Sequence, residues 1–241
     1  PEPLLPVLLG LLSTLFLTSH ALERDRGITI FSKQALFQTP ELAVTLLDTP
    51  GHVDFSAEME RTLSVLDYAI LVISGADGVQ AHTRTLWRLL ELYRIPTFLF
   101  VTKMDFGRCG RGQMMEHLHH ELGEGCVDFT PADRERRMEQ LATCREDALE
   151  AYLDGGEVPD ALVRQLVGRR LVFPCWFGSG LKLEGIDEFL EGLARYVEPP
   201  AYPAAFSARV FKISHDPQGN IYSLKPEYDT ERKIEAAFAG K

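Results

Sequence analysis

The chain has 241 residues, 45% of them hydrophobic and 25% charged, with a formal net charge of −10. That length supplies one substantial core and part of a second domain, and the acidic balance excludes a wholesale basic face for DNA, while a local basic patch for RNA stays open. Cys109, Cys126, Cys144 and Cys175 lie far apart and form no C-x-x-C pair. They indicate neither a zinc knuckle nor a disulfide framework, and fit the reduced thiols of a cytoplasmic protein. The opening "PEPLLPVLLGLLSTLFL" is apolar but lacks a basic flank, carries Pro3 and Pro6, and is shorter than a spanning helix needs. It reads as a buried strand and helix, no membrane partner is expected, and residues 1–18 are set apart as an atypical leader.

From residue 28 onward apolar runs alternate with amphipathic stretches. "ITIFSKQALF" and "LAVTLL" predict two strands joined as a hairpin around "QTPE". "FSAEMERTLSVL" has helical spacing, with Phe55, Met59, Leu63 and Leu66 on one side. "YAILVIS" is a continuous apolar run that predicts a strand buried on both faces. "TRTLWRLLELY" predicts a helix stopped by Pro96, and "TFLFVT" another buried strand. Between residues 107 and 170 charged helices are expected, as an insert or as a flank of the same domain. "LVFPCWF" and "GIDEFLEGLARYV" then close the unit with a strand and a helix. "EPPAYPA" reads as a linker and "FSARVFKIS" as the first strand of something new, with only about the last 30 residues after it, too few for a stable all-β domain. The fold class is therefore α/β, a mostly parallel sheet flanked by helices.

In such sheets ligands bind beyond the carboxyl ends of the strands, and polar clusters stand there: "DTPGH" after "LAVTLL", "TKMD" after "TFLFVT", "GSGLKLEG" after "LVFPCWF". Asp48 at a strand end suits a hard cation such as Mg²⁺. Pro50 stiffens the turn, and Gly51 lets a backbone N–H approach a phosphate. His52, whose intrinsic pKa is near neutral, is placed to orient an attacking water. The ordinary alternative is a strand-to-helix turn in which Thr49 or Asp54 caps the next helix. In "TKMD", Lys103 can lay its stem along a flat base while Asp105 accepts the N1–H and N2–H₂ donors of a guanine. The alternative there is a solvated Lys and Asp in a turn. Thr29, after Gly27, can complete a magnesium shell or be a plain strand residue. The group His117, His119, His120 and Cys126 matches no zinc-ligand spacing, and "RERR" at 134–137 reads as a solvated helix face.

Taken in order, "ERDRGITI", "DTPGHVDF", "ADGVQAHTR", "TKMD" and "GSGLKLEGIDEF" resemble the GTP-binding domain of translation-factor GTPases. The similarity is to the elongation factor G type and, within it, to the tetracycline-resistance ribosomal-protection proteins. The resemblance implies a P-loop-NTPase-like domain over residues 19–198. Residues 199–241 would then be a linker and the truncated start of a second, β-barrel domain. It implies GTP hydrolysis in the cytoplasm on the ribosome, with GTP, GDP and Mg²⁺ as ligands. Thr29 and Asp48 match the magnesium and γ-phosphate sensors, Gly51 the γ-phosphate amide, and His52 the water-positioning histidine. Lys103 and Asp105 match the guanine-reading pair, and Ser179 lies in the loop that touches the base oxygen.

Two departures stand out. Thr102 occupies the place of the family's Asn, leaving a hydroxyl where an amide makes more bonds. No G-x-x-x-x-G-K-[ST] string occurs in the 241 residues, the sole Gly-Lys being Gly240-Lys241. Without the backbone cradle, lysine and hydroxyl of that loop, nucleotide binding is expected to be impaired. Residues 1 to about 17 then read as foreign sequence joined to a genuine domain. The alternatives in function are a non-catalytic ribosome- or partner-binding remnant and a non-functional gene fragment.

Overall fold

A computed structural model describes residues 33–38, 43–49, 56–106, 109–130, 134–202, 207–216 and 219–226. The chain forms two compact units, Tyr68–Glu198 and, together, Pro1–Asp67 with Pro199–Lys241. In chain order, β1 (Lys33–Gln38) and β2 (Ala43–Asp48) pair antiparallel from Lys33↔Asp48 to Gln38↔Ala43. This is the expected hairpin. Helix α1 (Ser56–Leu63) follows, with Met59 and Leu63 buried four residues apart. Phe55 lies outside the described residues.

The second unit contains β3 (Ala69–Ser74), α2 (Ala81–Leu92), β4 (Thr97–Thr102), a 3₁₀ turn (Met104–Phe106), α3 (Arg111–Leu122) and β5 (Cys126–Asp128). It continues with α4 (Arg134–Ala142), α5 (Glu146–Gly155), α6 (Asp160–Gly168), β6 (Phe173–Phe177) and α7 (Ile186–Tyr196). Its sheet has the order β3-β4-β6-β5, every pairing parallel. All six residues of β4 and all five of β6 are buried, as continuous apolar runs require in a sheet covered on both faces. Strand β3 departs from the expectation: its burial alternates and Val72 is 44% exposed. With β5 it is one of the two outer strands of the four described, and its less buried residues Ile70, Val72 and Ser74 share one face.

Strand β5 was not foreseen among the charged helices of 107–170. Three residues are too few to show a period. It is fixed instead by its ladder with β6, continued where Phe129 N–H donates to Cys175 O at 2.9 Å. Pro174, inside β6, costs no ladder bond: its neighbours Phe173 and Cys175 bond toward β5, and pairing with β4 starts at Leu99↔Cys175.

The two faces of the sheet hold different cores. Phe98 and Phe100 of β4 and Trp176 of β6 point to one side, where ring centroids lie 5.2 Å apart for Phe100–Phe189 and 5.4 Å for Trp176–Phe189. Alternate residues Leu99, Val101 and Cys175 pack on the other side with Trp87, Met114 and Leu118 of α2 and α3. The rim of that second core is closed by Arg170, whose guanidinium lies 5.2 Å from the Trp87 ring centroid and 5.0 Å from that of Phe173. It also donates to Ile95 O and to Thr97 Oγ1. Arg170→Ala removes two cation–π contacts and two charged hydrogen bonds, so a loss of about 2–3 kcal/mol in urea unfolding is expected. Arg170→Lys should recover only part of it, because an ammonium lacks the planar fork.

In the first unit β7 (Ala208–Asp216) and β8 (Gly219–Pro226) form an antiparallel hairpin with a bulge between Val210 and Lys212. The ladder continues past Asn220 as far as Ala208↔Pro226. Lys225 Nζ and Tyr202 OH both donate to Asp67 Oδ1, at 2.5 and 3.4 Å. Among the described residues no helix is long and apolar enough to cross a membrane.

Candidate functional site

The carboxyl ends of β4 and β6 lie side by side, and the loops that leave them are bonded together. Gly178 N–H donates to Val101 O at 2.9 Å, Met104 N–H to Gly178 O at 3.1 Å, and Gly180 N–H to Thr102 Oγ1 at 3.3 Å. The hydroxyl of Thr102, 8% exposed, therefore makes one direct link between the two loops. Within the second loop Ser179 and Glu184 exchange backbone bonds, each 3.1 Å, and Ser179 Oγ accepts from Lys182 N–H at 3.3 Å. Ser179 is 1% exposed, so its own N–H and hydroxyl shape the loop.

Between these loops stands Asp105, in the 3₁₀ turn. Its side chain is 12% exposed, with Oδ2 3.9 Å from Lys182 Nζ. Its Oδ1 is buried with no hydrogen-bond partner. A buried carboxylate oxygen without a donor carries an uncompensated desolvation cost, which a ligand N–H would offset. The turn is aimed by Lys103, exposed and at φ +60°. For a residue with a Cβ this left-handed backbone costs of order 1 kcal/mol. What the arrangement offers is a fixed, nearly dry acceptor beside an exposed aliphatic stem. That combination suits a flat ring with two adjacent N–H donors.

Of the residues the sequence singles out, the structure brings Lys103, Asp105 and Ser179 to one place. Asp48 ends β2 in the other unit, in register with Lys33. Thr29, Gly51 and His52 lie outside the described residues. Lys182 was missed: nothing in "GSGLKLEG" marks its approach to Asp105, which depends on how two loops distant in sequence fold together. Among the described residues no three His, Cys, Asp or Glu side chains are grouped to hold a metal ion. The histidines of α3 have other uses. His117 Nε2 accepts from Val79 N–H at 3.1 Å, His119 Nε2 bonds Cys126 O at 2.7 Å, and His120 is exposed beside Glu121.

Residues 12–199 match the Elongation factor Tu GTP binding domain family. The chain belongs to that family. Its match begins inside the opening apolar segment and ends just after α7. Among its relatives the oxytetracycline resistance protein of Streptomyces rimosus is 37% identical over 230 residues, covering 83% of this chain and 34% of that protein. The tetracycline resistance protein TetM of Streptomyces lividans is 36% identical, covering 88% of this chain and 35% of that protein. TetO of Campylobacter coli is 32% identical over 211 residues, covering 80% of this chain and 33% of that protein. This GTP-binding-domain chain thus spans about a third of the length of these relatives. A crystal structure of a Thermus thermophilus protein superimposes with a TM-score of 0.75 at 25% identity, covering 88% of this chain and 39% of that one.

Proposed function

We propose that this chain is the GTP-binding part of a translation-factor GTPase that acts on the ribosome in the cytoplasm, of the ribosomal-protection type. The observation that carries the reading is the buried, unpartnered Oδ1 of Asp105 between the two loops. Guanine presents N1–H and N2–H₂ to a carboxylate, whereas adenine presents no such pair, so Asp105 selects the base. Lys103 lies along its face and the Ser179 loop borders its oxygen edge. Asp48 and Thr29 are the residues that would hold Mg²⁺, which neutralises charge on the phosphates when bound. Gly51 offers its N–H to the γ-phosphate, and His52 orients the water. Residues 19–198 form the GTP-binding domain and 199–241 the linker and start of a second β domain.

The test is the thermal midpoint of the chain with Mg²⁺ and GTP, against Mg²⁺ and ATP, each at millimolar concentration. A ligand that binds only the folded state raises the midpoint. A rise with GTP alone is expected, small because nucleotide binding by this fragment should be impaired, and an equal response to both nucleotides, or none, would overturn the reading. A smaller effect is expected of Thr102→Val, which removes the acceptor for Gly180 N–H. Losing about 1 kcal/mol of loop tethering should weaken GTP about fivefold, read from midpoints across a concentration series.

A further inference from the structure

The loop from Gly178 to Glu184 carries one cation, Lys182, and the fold brings it to Asp105. Its Nζ stands 3.9 Å from Oδ2, and among the described residues Asp105 is the one carboxylate within 4.0 Å of it. The ammonium is close to the carboxylate without being bonded to it, since a hydrogen bond needs about 2.7–3.2 Å. With 54% of the side chain exposed, its three N–H donors stay open to a ligand. The backbone fixes where it stands. Lys182 N–H donates to Ser179 Oγ at 3.3 Å, Ser179 and Glu184 close the loop with two bonds, and Leu183 takes φ +62°. That left-handed conformation is disfavoured for any residue with a Cβ, and Lys103, two residues before Asp105, adopts it as well at φ +60°. Each loop thus holds a strained residue close to its charged one.

A carboxylate that accepts N1–H and N2–H₂ of guanine has the ring oxygen O6 beside it, because O6 sits on the carbon next to N1, on the side away from N2. Two acceptors then face one gap, and their negative charges repel unless a donor stands between them. The backbone of the loop has little left to give there. Ser179 N–H goes to Glu184 O, Gly180 N–H to Thr102 Oγ1 and Lys182 N–H to Ser179 Oγ. The Lys182 ammonium, just outside bonding distance of Oδ2, stands where the atom next to N1 arrives when Oδ2 accepts N1–H and the buried Oδ1 accepts N2–H₂. Turning the base over would set that ammonium against the 2-amino group, donor against donor. Adenine meets the same conflict, since it carries an amino group where guanine carries O6.

We propose that Lys182 is a specificity-determining residue of the base site, donating an ammonium N–H to O6 of guanine while Asp105 accepts N1–H and N2–H₂. The proposal rests on the guanine reading of Asp105. The experiment takes the whole chain with Mg²⁺ and reads dissociation constants from thermal midpoints across a concentration series of GTP, ATP and 6-thioguanosine triphosphate. The thio base keeps N1–H and the 2-amino group and replaces O6 with sulfur, a weak acceptor. The unsubstituted protein should prefer GTP to the thio nucleotide by about fivefold or more, the ratio that one charge-assisted bond at a half-exposed site supplies. Lys182→Met should weaken GTP by that same factor and leave the thio nucleotide within about twofold, so that the preference disappears. Lys182→Arg, which keeps a charged donor, should retain part of it. The nucleotide-free midpoint of Lys182→Met should change little, because the side chain is exposed. An equal loss of both nucleotides would make Lys182 a general attractor of the triphosphate and overturn the proposal, as would a preference for GTP over the thio nucleotide that survives Lys182→Met. In either of those cases a chain that still prefers GTP to ATP leaves the guanine reading of Asp105 standing. A chain with no preference for GTP over ATP overturns both.

Discussion

Asp105→Asn should lower GTP affinity on the order of 100-fold while leaving the nucleotide-free protein as stable as before, or more so. The two effects have one cause. In the nucleotide-free protein Oδ1 is buried without a donor, and Lys182 is 3.9 Å from Oδ2, too far for a hydrogen bond and half-exposed besides. The ionised carboxylate is therefore poorly compensated, and replacing it with a neutral amide of the same shape relieves desolvation. With guanine present the balance reverses, because the carboxylate accepts two N–H bonds worth about 1.5–3 kcal/mol each when charged. An amide oxygen keeps at most one, without the charge. Inosine triphosphate isolates the second bond, since its base lacks the 2-amino group. The unsubstituted protein should prefer GTP over it by about tenfold, and the variant should show little preference. The measurement is the midpoint shift against nucleotide concentration for both triphosphates and both proteins. An unchanged preference in the variant would remove Asp105 from base recognition.

Much of the fold can be read from runs of apolar residues ended by breakers. "TFLFVT" and "LVFPCWF" carry no charged residue, and the only hydroxyls, of Thr97 and Thr102, find partners inside the protein, so they become the two inner strands of the four described. "LAVTLL" and its partner are close enough in sequence to pair across a short turn. The misreadings share a physical origin in partners supplied from elsewhere. Strand β5 exists because β6 offers it a ladder, and the exposure of Val72 is set by what packs on its face of the sheet and not by its own apolar run. At the candidate site the residue types were legible in "TKMD", but the geometry was not. The hydroxyl of Thr102 is reached by the N–H of Gly180, 78 residues away. Lys182 near Asp105 and Arg137 of "RERR", which donates to Phe129 O instead of facing solvent, likewise depend on packing that no local pattern encodes.

Gly178→Ala is expected to have the largest structural effect, because this glycine is where the loops that leave β4 and β6 touch. A Cβ built on it would stand 2.0 Å from Glu184 O and 3.1 Å from Phe100 Cζ. The first of these is backbone and cannot rotate away. Glu184 is itself pinned by its two bonds with Ser179, and the residue after it, Gly185, is at φ +77°, a conformation that resists adjustment. Relief must therefore come from Gly178 itself. Moving it breaks the bond it receives from Met104 N–H or the one it gives to Val101 O, which tie the second loop to β4 and to the Asp105 turn. Overpacking of this kind costs about 1–3 kcal/mol, with contacts to fixed backbone at the upper end. At roughly 2–4 °C per kcal/mol for a chain of this size, the midpoint should fall by about 6–12 °C. Gly112→Ala, at a position open on all sides, is the control and should not lower it. The GTP-dependent rise should shrink together with the midpoint in Gly178→Ala, since the same displacement carries Asp105 out of line with the base. A Gly178→Ala protein that melts normally and keeps its full response to GTP would mean that the two loops are not held as one unit.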